Sequence, residues 1–482
     1  MTSALANLAA PAESGGPARG TLWLGLTLAA VWALVAAAAL LVASVKLHSP
    51  GLLAEVRWLT YGRLQAGGQA VLLFGFLVPA AALLGLNLLG RLAGFRGGSA
   101  GLPVAGTLLW NAGVAAGLLA VLRGHAAGMD WLDFPAPVFW LLLAGSGLWA
   151  LTALAGFCSR GEDDEAYPSV WFLLAALLAL PWFLSVVPTL GTGPESAGVL
   201  GVVVRRWALN GVVALAAGGV GLAGLLYLVP KLAGVPLASR QLALLGFWAW
   251  IFCTPWAAMF HGDPVPRWLV SAGVAGRIFA AIAFVTLATN FGMTLAGGGW
   301  RKLCAAPGGR WAAAGLAGWL AAGGLMFLVN FRGGSTLLRL TWFTPGLELL
   351  VVLGFLLPVV VALTLDAWPA LADGKPVPAV WRGPATWLVL GGAGLVVIPL
   401  LLAGLIQGAG LLNPERPFLD VLRASLMPVR LVALGWLLLV AGLGASLLPW
   451  LGLWSDLCRR LTFECRAWQE PLVESKPAAA AP

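Results

Sequence analysis

Charge is scarce in this chain. Of its 482 residues only 10% are Asp, Glu, Lys or Arg, while 60% are apolar and mean hydropathy is +0.92. So little charge cannot cover the chain with polar surface in water, which excludes an ordinary soluble globule. Histidine is scarcer still: His48, His125 and His261 are the only three, and none lies inside an apolar run. No C-x-x-C-H occurs, so the chain is not a carrier of covalently attached c-type haem. Alternating ten-residue segments are missing too, which excludes a transmembrane barrel. No connection between apolar runs is long enough for a soluble domain, and no tandem repeat stands out.

What the chain has is long apolar runs. Twelve are expected to be transmembrane helices: 21–46, 66–90, 101–122, 136–157, 168–190, 204–228, 240–260, 268–296, 311–330, 346–365, 384–407 and 424–454. Each reaches across a hydrocarbon core of ~30 Å, and in lipid the helix satisfies its own backbone. The expected class is therefore all-α, a polytopic membrane protein with about twelve helices. Residues 1–20 read as a disordered N-terminal tail, 21–455 as one transmembrane domain and 456–482 as a C-terminal tail. The first run is too long for a signal-peptide core and reads as a retained helix.

With twelve spans both termini share a side. That side carries fifteen Lys and Arg, the other twelve, and Arg277 lies within a span. The bias places the termini in the cytoplasm, with the chain in a bacterial inner membrane. The net charge of +9 reads as membrane anchoring and not as nucleic-acid binding. Cys158, Cys304, Cys458 and Cys465 fall near the cytoplasmic side and read as free thiols. Cys253 reads as a small apolar residue within a helix.

Glycines such as Gly218, Gly219, Gly221 and Gly224 reflect either close helix approach or a compositional bias. Pro181, Pro255, Pro345 and Pro358 are expected at kinks or helix starts. Trp131, Trp182, Trp268, Trp300 and Trp454 are expected in an interfacial belt. The carboxylates Glu162, Asp163, Asp164 and Glu165 form a solvated loop or, less simply, a divalent-cation site. The run Gly297–Gly299 lacks the continuation of a phosphate loop and is a turn.

A series of short motifs resembles the catalytic subunit of cbb3-type cytochrome c oxidases, within the haem–copper oxidase subunit I superfamily. Tyr61-Gly62-Arg63-Leu64 resembles that family's F-G-R-L entry to the second helix, and Ser169-Val170-Trp171-Phe172 its S-L-W-Y. Asn210 followed by Tyr227-Leu228-Val229-Pro230-Lys231 is similar to H-N-A-V…Y-x-V-P-K. Phe247-Trp248-Ala249-Trp250-Ile251-Phe252 is similar to H-F-W-A-L-I-F, and Val265-Pro266-Arg267-Trp268 to L-P-D-W. Ala403-Gly404-Leu405-Ile406-Gln407-Gly408 and Leu426-Met427-Pro428 complete a collinear set from residue 59 to about 450.

The resemblance implies a twelve-helix bundle holding haem b and copper through six histidines, because those metals want nitrogen donors there. The ligand positions it implies hold other residues: Gly or Gln within 65–69, Leu209 before Asn210, Trp256-Ala257-Ala258-Met259-Phe260 in the seventh helix, and Pro345-Gly346-Leu347-Glu348-Leu349 in the tenth. Three histidines cannot supply six ligands, so neither catalytic nor metal residues are expected and no cofactor is expected to bind. A zinc or copper site shared by the three is set against by their wide separation in sequence.

The polar candidates are Arg277 with Glu348 as a possible counter-ion, and Arg205 and Arg206 at the start of the sixth helix. Arg277 and Glu348 mark either a remnant ion path or a structural pair inherited with the scaffold. Where an oxidase would meet haem propionates, Arg205 and Arg206 are expected to meet lipid headgroups or an acidic partner surface. The leading expectation is a non-catalytic, degenerate oxidase-subunit-like scaffold, a pseudoenzyme partnered by the bilayer and by other respiratory-complex subunits or membrane-anchored cytochrome c. Its alternatives are a genuine haem-containing terminal oxidase with unconventional or partner-donated ligands, and a repurposed transporter or channel.

Overall fold

The computed structural model describes residues 19–95, 101–160, 165–191, 198–263 and 265–473. The tail residues 1–18 and 474–482, the carboxylates Glu162, Asp163 and Asp164, and the side chains of Cys458 and Cys465 lie outside the described residues. Among the described residues there is no strand, and twelve helices are long and apolar enough to cross a bilayer. They are α1 (Arg19–Lys46), α2 (Tyr61–Ala93), α3 (Gly101–Arg123), α4 (Ala136–Cys158), α5 (Pro168–Leu190) and α6 (Val199–Ala233). Then follow α7 (Arg240–Ala258), α8 (Arg267–Leu295), α9 (Gly309–Asn330), α10 (Phe343–Leu371), α11 (Pro384–Leu411) and α12, whose span is Phe418–Asp456. Every expected run is one of these helices. As a helix α12 continues to Val473, through residues expected to form a tail.

The bundle is layered. In α2, α6 and α10 the most apolar stretch is 94, 89 and 78% buried, against 22–56% in the other nine. These three form the centre and the rest surround them.

Each central helix carries one wide π turn: Val71–Leu77 in α2, Gly211–Ala217 in α6 and Leu350–Leu356 in α10. Pro79 and Pro358 follow two of them and offer no N–H to Gly75 and Gly354, four residues back; the wider turn accommodates that loss. The third has Gly218-Gly219 instead. Val71-Leu72-Leu73-Phe74-Gly75-Phe76-Leu77-Val78-Pro79 and Leu350-Val351-Val352-Leu353-Gly354-Phe355-Leu356-Leu357-Pro358 share Gly-Phe-Leu-x-Pro in register. An internal likeness thus exists where none stood out in the sequence, because its copies are separated by seven other spans.

Close approach explains the glycines at the centre. A Cβ on Gly221 would lie 2.7 Å from the Phe355 ring, and one on Gly224 would lie 3.0 Å from Val359 and Leu363, so α6 lies directly on α10. A Cβ on Gly318 would overlap the Gly354 carbonyl, which brings α9 onto α10. Small residues at such contacts are what lets apolar helices associate in lipid.

The prolines fall as expected. Pro181 lies inside α5, Pro255 opens the turn Thr254–Ala258 that ends α7, and Pro345 sits in the first turn of α10. The tryptophan belt is only partly so. Trp182, Trp268 and Trp300 are exposed, and Trp454 packs on Trp23 at 4.0 Å. Trp131 is buried, at φ 69°, in the loop after α3. It is no interfacial anchor: its indole turns inward, and the left-handed backbone that this needs is unusual for a bulky residue.

Candidate functional site

Polar side chains inside the bundle gather at its two ends. At the end that bears the first residue of α1, the three central helices converge on one network. Counting alike from each π turn (71 to 87, 211 to 227, 350 to 366), Asn87, Tyr227 and Asp366 share one level, and Arg91 and Lys231 follow one turn later. Arg91 Nη1 donates to Asp366 Oδ2 at 3.0 Å and Lys231 Nζ to Asp366 Oδ1 at 2.6 Å. The Tyr227 hydroxyl accepts from Arg91 and Lys231, each at 2.6 Å, and donates to Asp366 at 3.3 Å. One carboxylate therefore ties two cations and a phenol across α2, α6 and α10. Asp366 lay just beyond the apolar run of α10 and was missed in the sequence.

Beside this network Pro230, of the Y-x-V-P-K motif, interrupts the backbone ladder of α6. The carbonyl it cannot reach, that of Leu226, accepts instead from the Tyr167 hydroxyl at 2.8 Å. Burial first, and then Tyr227, hold the Tyr167 hydroxyl above its ordinary pKa, so it stays a donor. Glu165, the described member of the acidic loop, pairs with Arg240.

The opposite end holds the candidates singled out in the sequence. Arg277, in α8, is 8% exposed. Its Nε donates to Asn330 Oδ1 at 2.7 Å and its Nη1 to the Ala257 carbonyl at 2.6 Å. Glycines deliver that carbonyl: a Cβ on Gly276 would lie 2.9 Å from Trp256, and one on Gly273 would overlap the Met259 carbonyl. The guanidinium lies 3.8 Å over the Phe260 ring, and Arg339 lies 4.7 Å over the same ring. Asp263 Oδ1 accepts from Arg206 Nη1 at 2.9 Å and from Arg339, while its Oδ2 accepts from the Phe260 N–H at 2.7 Å. Burial, with Arg206 adding to it, pulls the Arg339 guanidinium below its ordinary pKa against the opposing pull of Asp263.

Glu348 is not the hydrogen-bonding partner of Arg277. Its Oε2 accepts from the Trp131 indole at 2.9 Å, and the charged groups acting on it are Asp130, Arg206 and Arg339. The two residues share an end of the bundle. Arg205 and Arg206 part: Arg205 donates to the Gly191 carbonyl at 2.9 Å, while Arg206 meets Asp263. Asp263 was missed because a loop carboxylate reads as solvated; its signal was the neighbouring cationic side chains in three other segments. Nearby, Asp133 is 4% exposed, and burial, with Asp130 adding to it, raises its pKa to about 6 against the Met129 and Gly128 N–H groups.

The remaining motif residues are mainly structural. Tyr61 and Gly62 open α2 at the exposed rim. Arg63 donates to the Arg57 and Leu122 carbonyls at 2.6 and 3.0 Å, stapling α2 to the end of α3. Asn210 donates to the Thr254 carbonyl at 2.8 Å, satisfying an end group of α7, and Gln407 accepts from the Trp342 N–H at 3.1 Å. Trp248 and Trp268 are exposed on the outer surface.

His48, His125 and His261 all lie in connections at the Arg277 end. Several of the positions that the resemblance assigns to ligands are engaged in packing. A Cβ on Gly67 would lie 3.2 Å from Leu118, and one on Gly68 would lie 2.7 Å from Leu40, so these glycines seat α2 on α3 and α1. Leu209 is half-buried, Trp256 is exposed, and Leu347 and Leu349 are buried. A cavity of about 70 Å³ lies between α1, α2, α9, α10, α11 and α12, lined by apolar side chains and the hydroxyls of Thr364 and Ser446. Both hydroxyls donate within their own helices, at 2.8 Å, to Val360 and Gly442.

Comparison with known proteins agrees with this architecture. The family described as Cytochrome C and Quinol oxidase polypeptide I matches residues 21–447. A cytochrome c oxidase subunit 1 homolog of Azorhizobium caulinodans is 23% identical over 297 residues, 58% of this chain and 52% of that protein. Cytochrome c oxidase subunit 1 of Rhodobacter capsulatus is 27% identical over 318 residues, 59% of this chain and 56% of that one. The chain thus spans about half the length of the curated relatives it matches.

Proposed function

Since the chain belongs to the cytochrome c and quinol oxidase polypeptide I family, we propose that it keeps the subunit I bundle without a haem or copper centre. In this reading it is a cbb3-like scaffold in a respiratory complex of a bacterial inner membrane, termini in the cytoplasm, beside redox subunits or membrane-anchored cytochrome c. The observation that carries the reading is the packing of the centre. Haem would need imidazoles facing each other across α2 and α10; the stretches there read Gln65-Ala66-Gly67-Gly68-Gln69 and Pro345-Gly346-Leu347-Glu348-Leu349, and Gly67, Gly68 and Gly346 seat their helices on Leu118, Leu40 and Leu401. The cavity between α1, α2 and α9 to α12, away from those stretches, holds about 70 Å³ against roughly 300–1,000 Å³ for small-molecule and cofactor sites. The residues present do not fit the group, and no step of oxygen reduction is derived through it.

The protein, purified alone, is to be examined by a reduced-minus-oxidised visible spectrum and metal analysis. The expected result is no haem band and substoichiometric iron and copper. Stoichiometric haem b would overturn the reading in favour of an oxidase with unconventional ligands.

A further inference from the structure

Among the described residues, four buried side-chain nitrogens at the Arg277 end have no hydrogen-bond partner; besides His48 Nε2, in the connection after α1, they are the N–H donors Arg277 Nη2, Arg339 Nε and Asn330 Nδ2. These three donors belong to one site. Arg277 and Asn330 are joined by a hydrogen bond that fixes the sense of the amide, leaving its NH2 free, and Arg277 and Arg339 share the Phe260 ring. Asn330 is 1% exposed, so bulk water does not serve it.

Among the described residues Arg277 has no ion pair: it meets an amide and a carbonyl. Arg206 and Arg339 pair with Asp263, and the charged groups acting on Glu348 are Asp130, Arg206 and Arg339. Asp263 already accepts two guanidiniums and a backbone N–H, and Glu348 is held by Trp131. Guanidinium does not lose its proton in proteins, and a buried unpaired charge is strongly unfavourable. The site lacks a carboxylate in contact with Arg277 and one set of acceptors.

We propose that Arg277, Asn330 and Arg339 bind one small monovalent anion, with chloride as the ligand by size and charge. A single-atom anion has no directional demand and accepts from three N–H groups at once. The enclosure of all three donors disfavours a phosphate or a lipid headgroup. A water molecule would accept the same bonds but would leave the charge uncompensated.

The full-length protein in detergent is to be unfolded thermally in sodium chloride and in sodium gluconate of equal ionic strength. Chloride is expected to raise Tm saturably, by about 3 °C at a hundredfold excess over Kd. Bromide is expected to do the same, and Arg277→Gln to abolish the difference. Equal Tm in the two salts, or a chloride response that survives Arg277→Gln, would overturn the assignment. Crystals of the unsubstituted protein grown in bromide provide a measurement independent of how the variant folds. An anomalous peak within hydrogen-bonding reach of Arg277 Nη2 and Asn330 Nδ2 supports the site; no peak there refutes it.

Discussion

The hydroxyl of Tyr167 stands 2.8 Å from the carbonyl of Leu226, the group that Pro230 leaves without a backbone donor. A loop residue thus completes the hydrogen bonding of a central helix, where lipid and apolar side chains offer no substitute. Tyr167→Phe is expected to destabilise the protein by ~1–3 kcal/mol, the cost of a buried acceptor left unmade. In a Pro230→Ala background, which restores an N–H at the right place, the same change is expected to cost less than about 1 kcal/mol. A double-mutant cycle on denaturation in detergent measures the coupling. Equal costs in both backgrounds would show that the hydroxyl and the proline act independently.

Asp366 is the one carboxylate in the network that joins α2, α6 and α10, and it is shared by Arg91 and Lys231. Asp366→Asn leaves two partly buried cations side by side. The expected loss is ~2–4 kcal/mol, toward the lower part of the range for a broken buried pair because both cations keep some access to solvent. Adding Lys231→Met is expected to recover part of it. Monodisperse yield and Tm check both, and an Asp366→Asn protein as stable as the parent would remove this network from the forces holding the centre together.

Asp133 sets a pH dependence. Its folded pKa of about 6 lies above the ordinary aspartate value of ~3.9, so the native state holds its proton more tightly than the unfolded chain does. The resulting stabilisation is fully present below the unfolded pKa and is lost as pH rises from ~4 through 6, by about 2–3 kcal/mol. Asp133→Asn is expected to flatten this part of the profile. Thermal unfolding at pH 4.5, 5.5 and 7 gives the comparison, and parallel profiles for the two proteins would rule Asp133 out as the source.

The twelve spans were legible because each apolar run has the length a bilayer demands. Their places in the bundle were not. α1 and α10 have nearly equal hydropathy, 2.5 and 2.6, yet 33 and 78% of those stretches are buried. Lipid tails and a protein core are both apolar, so composition cannot tell a rim helix from a central one. Arg277 was visible as a charge among apolar neighbours, but its partners are a carbonyl, an amide and a ring, none of which carries a charge to find. Asp263 and Asp366 sit at the edges of apolar segments, where a carboxylate looks solvated. The one clue to Asp366 was the repeated Gly-Phe-Leu-x-Pro, which puts α2 and α10 in common register and lines Asp366 up with Asn87.

The π turns give the centre a phase as well as a shape. Each adds a residue to its turn, and every side chain beyond it is rotated accordingly. Straightening Leu350–Leu356 into an ordinary helix with all seven residues kept would swing everything downstream by roughly 100°. Asp366 would then turn away from Arg91 and Lys231, like a key cut one notch short. The three bulges are thus interdependent clocks, and straightening any one with its residues kept desynchronises the end of the bundle where all three meet.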